Sequence, residues 1–440
     1  MATNLVPILN ARGMRVCYTL VFYLLTPLIF LRLYWRGIKA PDYRRRWLER
    51  LAIYPAAHTR PVIWFHAVSV GEAEALFPLI KLFQQSRPDL PILITTTTPT
   101  GSARVKSVLG DAVQHVYLPY DLPDAIQRFL KHFNPLLAVI METEIWPNLF
   151  NQCGKQSIPL FIINARLSEK SAKGYAKVPA LLKPTIANVT LIAAQARQDY
   201  ERFIIVGAQP KQVKTVGNIK FDLDIAVDLI DAGKALRVQL FPGRLVWIIA
   251  SSHKNEEIIF LQIYQQIKVK YPGLLLLIVP RHPERFTEVK TLCEKLNLQV
   301  VTRSSKQGCI PTTDVYLADT MGELKMLYAA ADVAFVGGSL VNIGGHNVLE
   351  PAAIGVPVMF GPYMANFKAI ETGLLNAGGA LRCADAKQTQ MIIQQLLEDP
   401  EYRHKIAANA EKFVHQNRGI LKKLYTILNA QVQRSAIPKQ

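Results

Sequence analysis

A chain of 440 residues is too long for one ordinary core and points to two domains behind a short extra segment. Half of its residues are hydrophobic and mean hydropathy is +0.14, which excludes disorder and leaves room for a membrane element. The 51 Lys and Arg against 33 Asp and Glu give +18, and residues 1–222, with 27 basic and 14 acidic, hold +13 of it, so the first half suits an anionic partner: nucleic acid, an anionic membrane face or a phosphorylated substrate.

The first element is VCYTLVFYLLTPLIFL, Val16 to Leu31, 16 residues without a charge. A helical span needs roughly 17–25 apolar residues, so this one is short, but Arg15 and Arg32 can snorkel to the interfaces and the aromatics of LRLYWRG suit a headgroup belt. Arg12 and Arg15 precede it, whereas Arg32, Arg36, Lys39, Arg44, Arg45, Arg46 and Arg50 follow it. The positive-inside rule then puts the bulk of the chain on the cytoplasmic side. No small-x-small cleavage site is evident, so residues 1–50 read as an uncleaved anchor, spanning or monotopic, with a basic segment able to lie on anionic lipid.

From Pro61 onward, short apolar runs alternate with helical patterns. VIWFHA, ILITTT, LLAVIMETE, LFIINA and LIAAQ suit strands buried on both faces of a parallel sheet. The turn-rich TVGNIKFDLDIA closes this half near residue 222, with a hinge for domain closure expected over residues 218–228. The pattern restarts with LVWIIASS, LLLLIVPRH, DVYLAD, VAFVGG and VPVMFGP. The expectation is α/β: two doubly wound Rossmann-like domains, residues 51–222 and 223–415, facing a cleft, with residues 416–440 packing back on the first.

Several strand ends carry candidate chemistry. In HAVSVGEAEA, Glu72 follows a strand and opens a helix. It reads either as a first-turn acid favoured by the helix dipole or as a base at the carboxyl edge of a parallel sheet. Glu74 reads as dipole-stabilising. METE offers two carboxylates, Glu142 and Glu144, which the residues alone do not separate. Arg281 and His282 follow the strand LLLLIVP, where a guanidinium can fork onto a phosphate. Gly322 and Glu323 sit at another expected helix start. In SLVNIGGHNVLEPAAIGVPVMFGP, glycines lead into a helix expected to begin near His346 or Asn347. Its free N–H groups would meet an anion, and Asn347 and Glu350 would share one face, placing a carboxylate for ribose hydroxyls. The five scattered cysteines form no CxxC pair and no His/Cys cluster appears, so no disulfide framework, metal or cofactor is expected.

Taken together, VSVGE, METEIWPN, INARLS, GNIKFD, PRHPERF, MGEL and GGHNVLEP, in this order, resemble the Kdo transferases of lipopolysaccharide synthesis, over essentially the whole chain. ASSHKNEE departs mildly from the glycine-containing version of that loop. The resemblance implies a GT-B glycosyltransferase that moves 3-deoxy-D-manno-octulosonic acid (Kdo) from CMP-Kdo to the lipid A precursor, lipid IVA. It implies inversion, without a metal, at the cytoplasmic face of the bacterial inner membrane. It also implies Glu72 as general base, with Glu142 and Lys220 supporting the transition state. Pro280, Arg281, Met321, Gly322, Glu323, Asn347, Val348, Leu349 and Glu350 would be the CMP-binding segments. The nearest alternative is another membrane-associated GT-B enzyme using a UDP-sugar. A nucleotide-sugar epimerase would lack the apolar anchor, and a nucleic-acid-binding protein would show basic stripes interleaved with aromatics, which are not evident.

Overall fold

The computed structural model describes residues 10–55, 60–223 and 225–436. Positions 1–9 of the expected anchor segment, 224 of the expected hinge and 437–440 of the last segment lie outside them. The chain forms two units: one runs to Ile219 and resumes at Gly419, and the other is Lys220–Arg418.

The strands of the first unit are Val62–His66 (β1), Ile92–Thr96 (β2), Gln114–Tyr117 (β3), Pro135–Met141 (β4), Leu160–Ala165 (β5), Leu191–Ala194 (β6) and Val213–Thr215 (β7). They make one parallel sheet in the order β3-β2-β1-β4-β5-β6-β7. The apolar runs become strands because both faces are covered. Val62 and Trp64 enter one core with Phe129 and Leu149, while Ile63 and Phe65 enter the other with Leu76 and Phe83. Each fully buried side chain of this size contributes about 1.5–3 kcal/mol. The helix Ile420–Ala436 closes the second core with Ile420, Leu424, Leu428 and Val432, a stripe at every fourth position.

The second unit repeats the plan with Val246–Ser252 (β8), Leu275–Pro280 (β9), Val300–Thr302 (β10), Val315–Leu317 (β11), Val333–Val336 (β12), Val358–Phe360 (β13) and Ala380–Arg382 (β14). Their parallel order is β10-β11-β9-β8-β12-β13-β14. In each sheet the direction of winding reverses once, between β1 and β4 and between β8 and β12. At such a switch point the loops leave in opposite directions and open a crevice beyond the carboxyl ends of the strands.

The N-terminal helix, Ala11–Lys39, is longer than the uncharged run, because Asn10 caps it upstream through the Gly13 N–H (2.9 Å) and the added turns carry Arg12, Arg36 and Lys39. By length and composition it is apolar enough to cross a membrane. One face lies on the first unit: Thr19 Oγ1 donates to Asn148 (3.2 Å), Tyr23 donates to Asp124 (2.6 Å), and Phe22 and Phe30 meet the rings of Trp146 and Tyr120. Leu20, Leu24, Leu28, Leu31 and Trp35 form an exposed apolar stripe.

Candidate active site

The crevice of the first sheet gathers acidic side chains. Helix Val70–Ser86 starts immediately beyond β1, and Ser69 caps it by accepting from the Glu72 N–H (3.3 Å). The Glu72 carboxylate turns back and accepts from the Val68 N–H (2.9 Å) and the Ser69 hydroxyl (3.0 Å). Glu72 is therefore both a capping residue and a half-buried carboxylate held at the switch point. The two readings of this residue do not exclude each other. Burial raises its carboxyl above the ordinary range; the Val68 N–H pulls it back, and the charge of Glu142 adds to the rise.

Glu142 follows β4 directly. Its φ of +56° puts a non-glycine residue in the left-handed region, at a cost of about 1–2 kcal/mol, and its N–H stays tied to the Ile163 carbonyl (3.0 Å). The side chain is buried and pairs with Arg166 Nε, which follows β5, at 2.6 Å. Glu144, two residues on, is pushed up to about 7, first by burial and then by the charges of Glu72 and Glu142. Trp146 precedes helix Pro147–Lys155, whose first turn is fixed from another loop by Asp121, which accepts from the N–H groups of Asn148 (2.9 Å) and Leu149 (2.7 Å). Three carboxylates thus gather at the ends of β1 and β4, with the guanidinium of Arg166, after β5, paired to Glu142 and felt by Glu72. Such a cluster has a proton to share near neutrality and a raised proton affinity at Glu72, which suits general-base work.

Lys220 lies in the 3-10 turn Ile219–Phe221 and counts with the second unit, where its ammonium sits 5.1 Å over the Phe367 ring. The preceding Ile219 N–H donates to Asn164 Oδ1 (3.0 Å) in the first unit.

The second sheet's crevice holds a different set. Pro280 is the buried last residue of β9, and the exposed Arg281 follows, its N–H bonded to the Ser252 carbonyl (3.0 Å). The glycine loop differs from expectation at the helix start. The helix begins at Leu349, not at His346 or Asn347, and has six residues; Asn347 precedes it and accepts from the Leu349 N–H (3.1 Å), so Asn347 and Glu350 do not share a helical face. Upstream in the same loop, the N–H groups of Gly338, Ser339 and Leu340 are all paired. All three donate to the buried carboxylate of Glu256 at 2.7, 3.0 and 3.0 Å, as does His253 N–H at 3.0 Å. Glycine is required at 361, where a Cβ would stand 2.2 Å from the Ser339 carbonyl oxygen, so the loop packs against β13 backbone to backbone. Val348 and Leu349 bury their side chains in the core with Val336 and Phe360, leaving only their backbone to meet a ligand.

Gly322, at φ +88°, turns the chain into helix Leu324–Ala329. Glu323 is forked onto Arg303 (2.7 Å at the shortest) and accepts from Thr320, which holds its carboxyl below the ordinary range. With Met321 these residues line a cavity of about 670 Å³. The site residues that sequence reasoning missed are Arg166 and Glu256. Arg166 stands directly after a buried strand, as Arg281 does, and that position was the available signal. Glu256 sits in HKNEE, where two adjacent glutamates read as first-turn charges.

A family model described as "3-Deoxy-D-manno-octulosonic-acid transferase (kdotransferase)" matches residues 45–223. The chain is 41% identical over 424 residues to the 3-deoxy-D-manno-octulosonic acid transferase of Haemophilus influenzae, covering 96% of this chain and 99% of that one. The protein of the same name from Bordetella pertussis is 35% identical over 419 residues, covering 92% and 96%. Among solved structures, a glycosyltransferase from Rickettsia africae is similar with a TM-score of 0.54 at 13% identity, over 86% of this chain and 100% of that one. A UDP-GlcNAc 2-epimerase from Neisseria meningitidis is similar with a TM-score of 0.53 at 16% identity, again over 86% and 100%. These two share the GT-B fold and carry no more than that. With a carboxylate cluster at one switch point, a glycine loop at the other and 41% identity along nearly the whole chain, the protein belongs to the Kdo transferase family and is a glycosyltransferase.

Proposed function

We propose that the chain transfers Kdo from CMP-Kdo to a hydroxyl of the lipid A precursor, lipid IVA, with inversion at the anomeric carbon and without a metal. The acceptor oxygen attacks the anomeric carbon as the bond to the CMP phosphate breaks, and the hydroxyl proton passes to Glu72. A sugar hydroxyl is a weak nucleophile, and a positioned base of raised proton affinity contributes typically 10²–10⁴-fold. Glu142, held by Arg166, lies beside Glu72, and Lys220 and Arg281 meet the negative charge that develops on the donor side. Pro280, Arg281, Met321 to Glu323 and Asn347 to Glu350 form the nucleotide-binding segments. The observation that carries the reading is the carboxylate cluster itself, with Glu72 fixed by Val68 and Ser69 at the switch point. The basic excess of the first half suits an acceptor bearing phosphates.

The N-terminal helix holds the enzyme on the cytoplasmic face of the bacterial inner membrane, against anionic lipid. Polar contacts along its length, from Thr19 to Tyr23, tie one face to the first unit, while the stripe from Leu20 to Trp35 faces outward. That division favours a helix lying in one leaflet over one crossing both.

The test uses detergent-solubilised protein, CMP-Kdo and lipid IVA, with Glu72→Ala beside wild type and mass spectrometry of the lipid. Wild type adds one or more Kdo masses; the variant adds none yet binds CMP. If wild type binds CMP and adds none, the acceptor is wrong. UDP competing as well as CMP would favour the UDP-sugar alternative.

A further inference from the structure

Three histidines of the second unit have no part in the transfer just described, and two of them make an unusual contact. His253 follows β8 and His346 lies in the glycine loop after β12, so the switch point brings them together. Their Nε2 atoms are 2.7 Å apart. The ring centroids are 5.0 Å apart with an interplanar angle of 5°, which describes two coplanar imidazoles meeting edge to edge through those nitrogens. One Nε2 must carry a hydrogen and the other must accept it. The pair can be neutral, or it can take one added proton and become a cation with the same N–H···N bond. A second added proton would set two N–H groups head to head, so the pair holds one positive charge at most.

Its surroundings are short of anions. Arg281 and His282 approach from the loop after β9, with His282 edge-on to His253 at 5.3 Å, and Arg285 comes from the turn Pro283–Arg285. The exposed Lys254 follows His253 in the chain. The Glu256 carboxylate accepts from the His253 N–H, but its oxygens are committed to four backbone N–H groups. Glu257 pairs through Oε1 with Arg285 and Ser252, and Glu284 lies 4.0 Å from His282 at the rim. Burial, then the neighbouring cations, lowers both imidazoles, His346 to about 4. At neutral pH the free pair is uncharged, with cationic neighbours that an anion would answer. Gly338, whose absent Cβ would stand 3.0 Å from the His346 ring, brings the backbone close beside the pair.

We propose that His253 and His346 form a one-proton imidazole couple that takes up a proton from solvent when the phosphate of a cytidine nucleotide binds at this crevice, and so positions that phosphate by a charge present only in the complex. This rests on the nucleotide reading above. An arriving anion offsets Arg281 and makes the protonated couple favourable. When the nucleotide leaves, the couple returns its proton to solvent and no longer holds the product phosphate as a fixed cation would. His253 and His346 are positioning residues, since the chemistry at the anomeric carbon does not need them as acid or base.

The experiment is calorimetry of CMP binding to the full detergent-solubilised chain at pH 7, in two buffers of different ionisation enthalpy. A phosphate monoester with a second pKa of about 6 that binds as the dianion can only release protons, so net uptake reports the protein. The expected result is uptake of a measurable fraction of a proton. Kd should rise by up to about tenfold per pH unit above the pKa of the free couple. His346→Gln keeps a neutral hydrogen-bonding group and is expected to bind CMP more weakly than wild type, without the uptake and without the gain in affinity toward pH 6. CMP binding by wild type with no proton uptake would overturn the couple's role alone. Uptake that persists in both His253→Gln and His346→Gln and disappears in His282→Gln would do the same. Failure of wild type to bind CMP at all would instead overturn the nucleotide reading, and the couple's role with it.

Discussion

Replacing Arg166 by alanine removes the counter-charge of Glu142 while leaving all three carboxylates in place. Side-chain exposure is 9% for Glu142 and 50% for Arg166, so the pair is neither fully buried nor on the surface. Breaking a buried pair costs about 3–5 kcal/mol and losing an exposed one about 0–1 kcal/mol. With one partner half in water, about 1–2 kcal/mol is reasonable, which corresponds to roughly one pKa unit for the cluster. The sign follows from the chemistry: without the guanidinium the carboxylates hold protons more tightly, so Glu72 reaches its basic form only at higher pH. In a profile of kcat/KM for Kdo transfer from pH 5.5 to 9, the acid limb of Arg166→Ala is expected to move up by about one unit. Below the limb its rate falls about tenfold against wild type, and the two profiles converge at high pH. Arg166→Lys should restore much of the wild-type limb. An unmoved limb, or an equal loss at every pH, would refute the electrostatic argument and leave Arg166 as a substrate contact or a packing element.

Glu144→Gln should move the same limb the other way, by less than a unit, because it removes a negative neighbour of Glu72 while keeping the side chain's shape; the same pH profile reads it. Glu256→Ala orphans the N–H groups of His253, Gly338, Ser339 and Leu340 and should cost about 3–5 kcal/mol, seen as a lower unfolding temperature, with Glu256→Gln losing less. Replacing Leu24 and Leu28 by glutamate should weaken sedimentation with anionic vesicles by at least about a hundredfold without changing the helix content seen by circular dichroism.

What the sequence disclosed of the fold depended on burial from both sides. The ten strands in the interior of the two sheets are the ten apolar runs visible along the chain. The four that escaped notice, β3, β7, β10 and β14, are the four sheet edges, three or four residues long. An edge strand has a neighbour on one side only, and Gln114, Lys214 and Arg382 interrupt the apolar pattern there. At the sites, residues placed by a strand end could be anticipated, as Glu72, Glu142 and Arg281 were. The glycine loop could not be read as well. GGHN followed by an apolar run looks like a capped helix, but the helix starts at Leu349, and the start of the loop is held by the buried Glu256, 82 residues upstream of Gly338. Contacts made across that much chain leave no local mark. The pairing of His253 with His346, 93 residues apart, was hidden for the same reason.

The return of helix Ile420–Ala436 to the first unit bears on how the protein is made. A ribosome emits helix Ala11–Lys39 before the seven strands of the first sheet. Before Ile420, Leu424, Leu428 and Val432 appear, it must still emit all of Lys220–Arg418, which at about 5–20 residues per second takes about 10–40 s. For that interval the sheet face carrying Ile63 and Phe65 lacks its last cover. The nascent first unit is an open seam of apolar surface until Ile420–Ala436 arrives. Removing that helix would leave every catalytic candidate of the first unit in the sequence and yet deprive the unit of a wall.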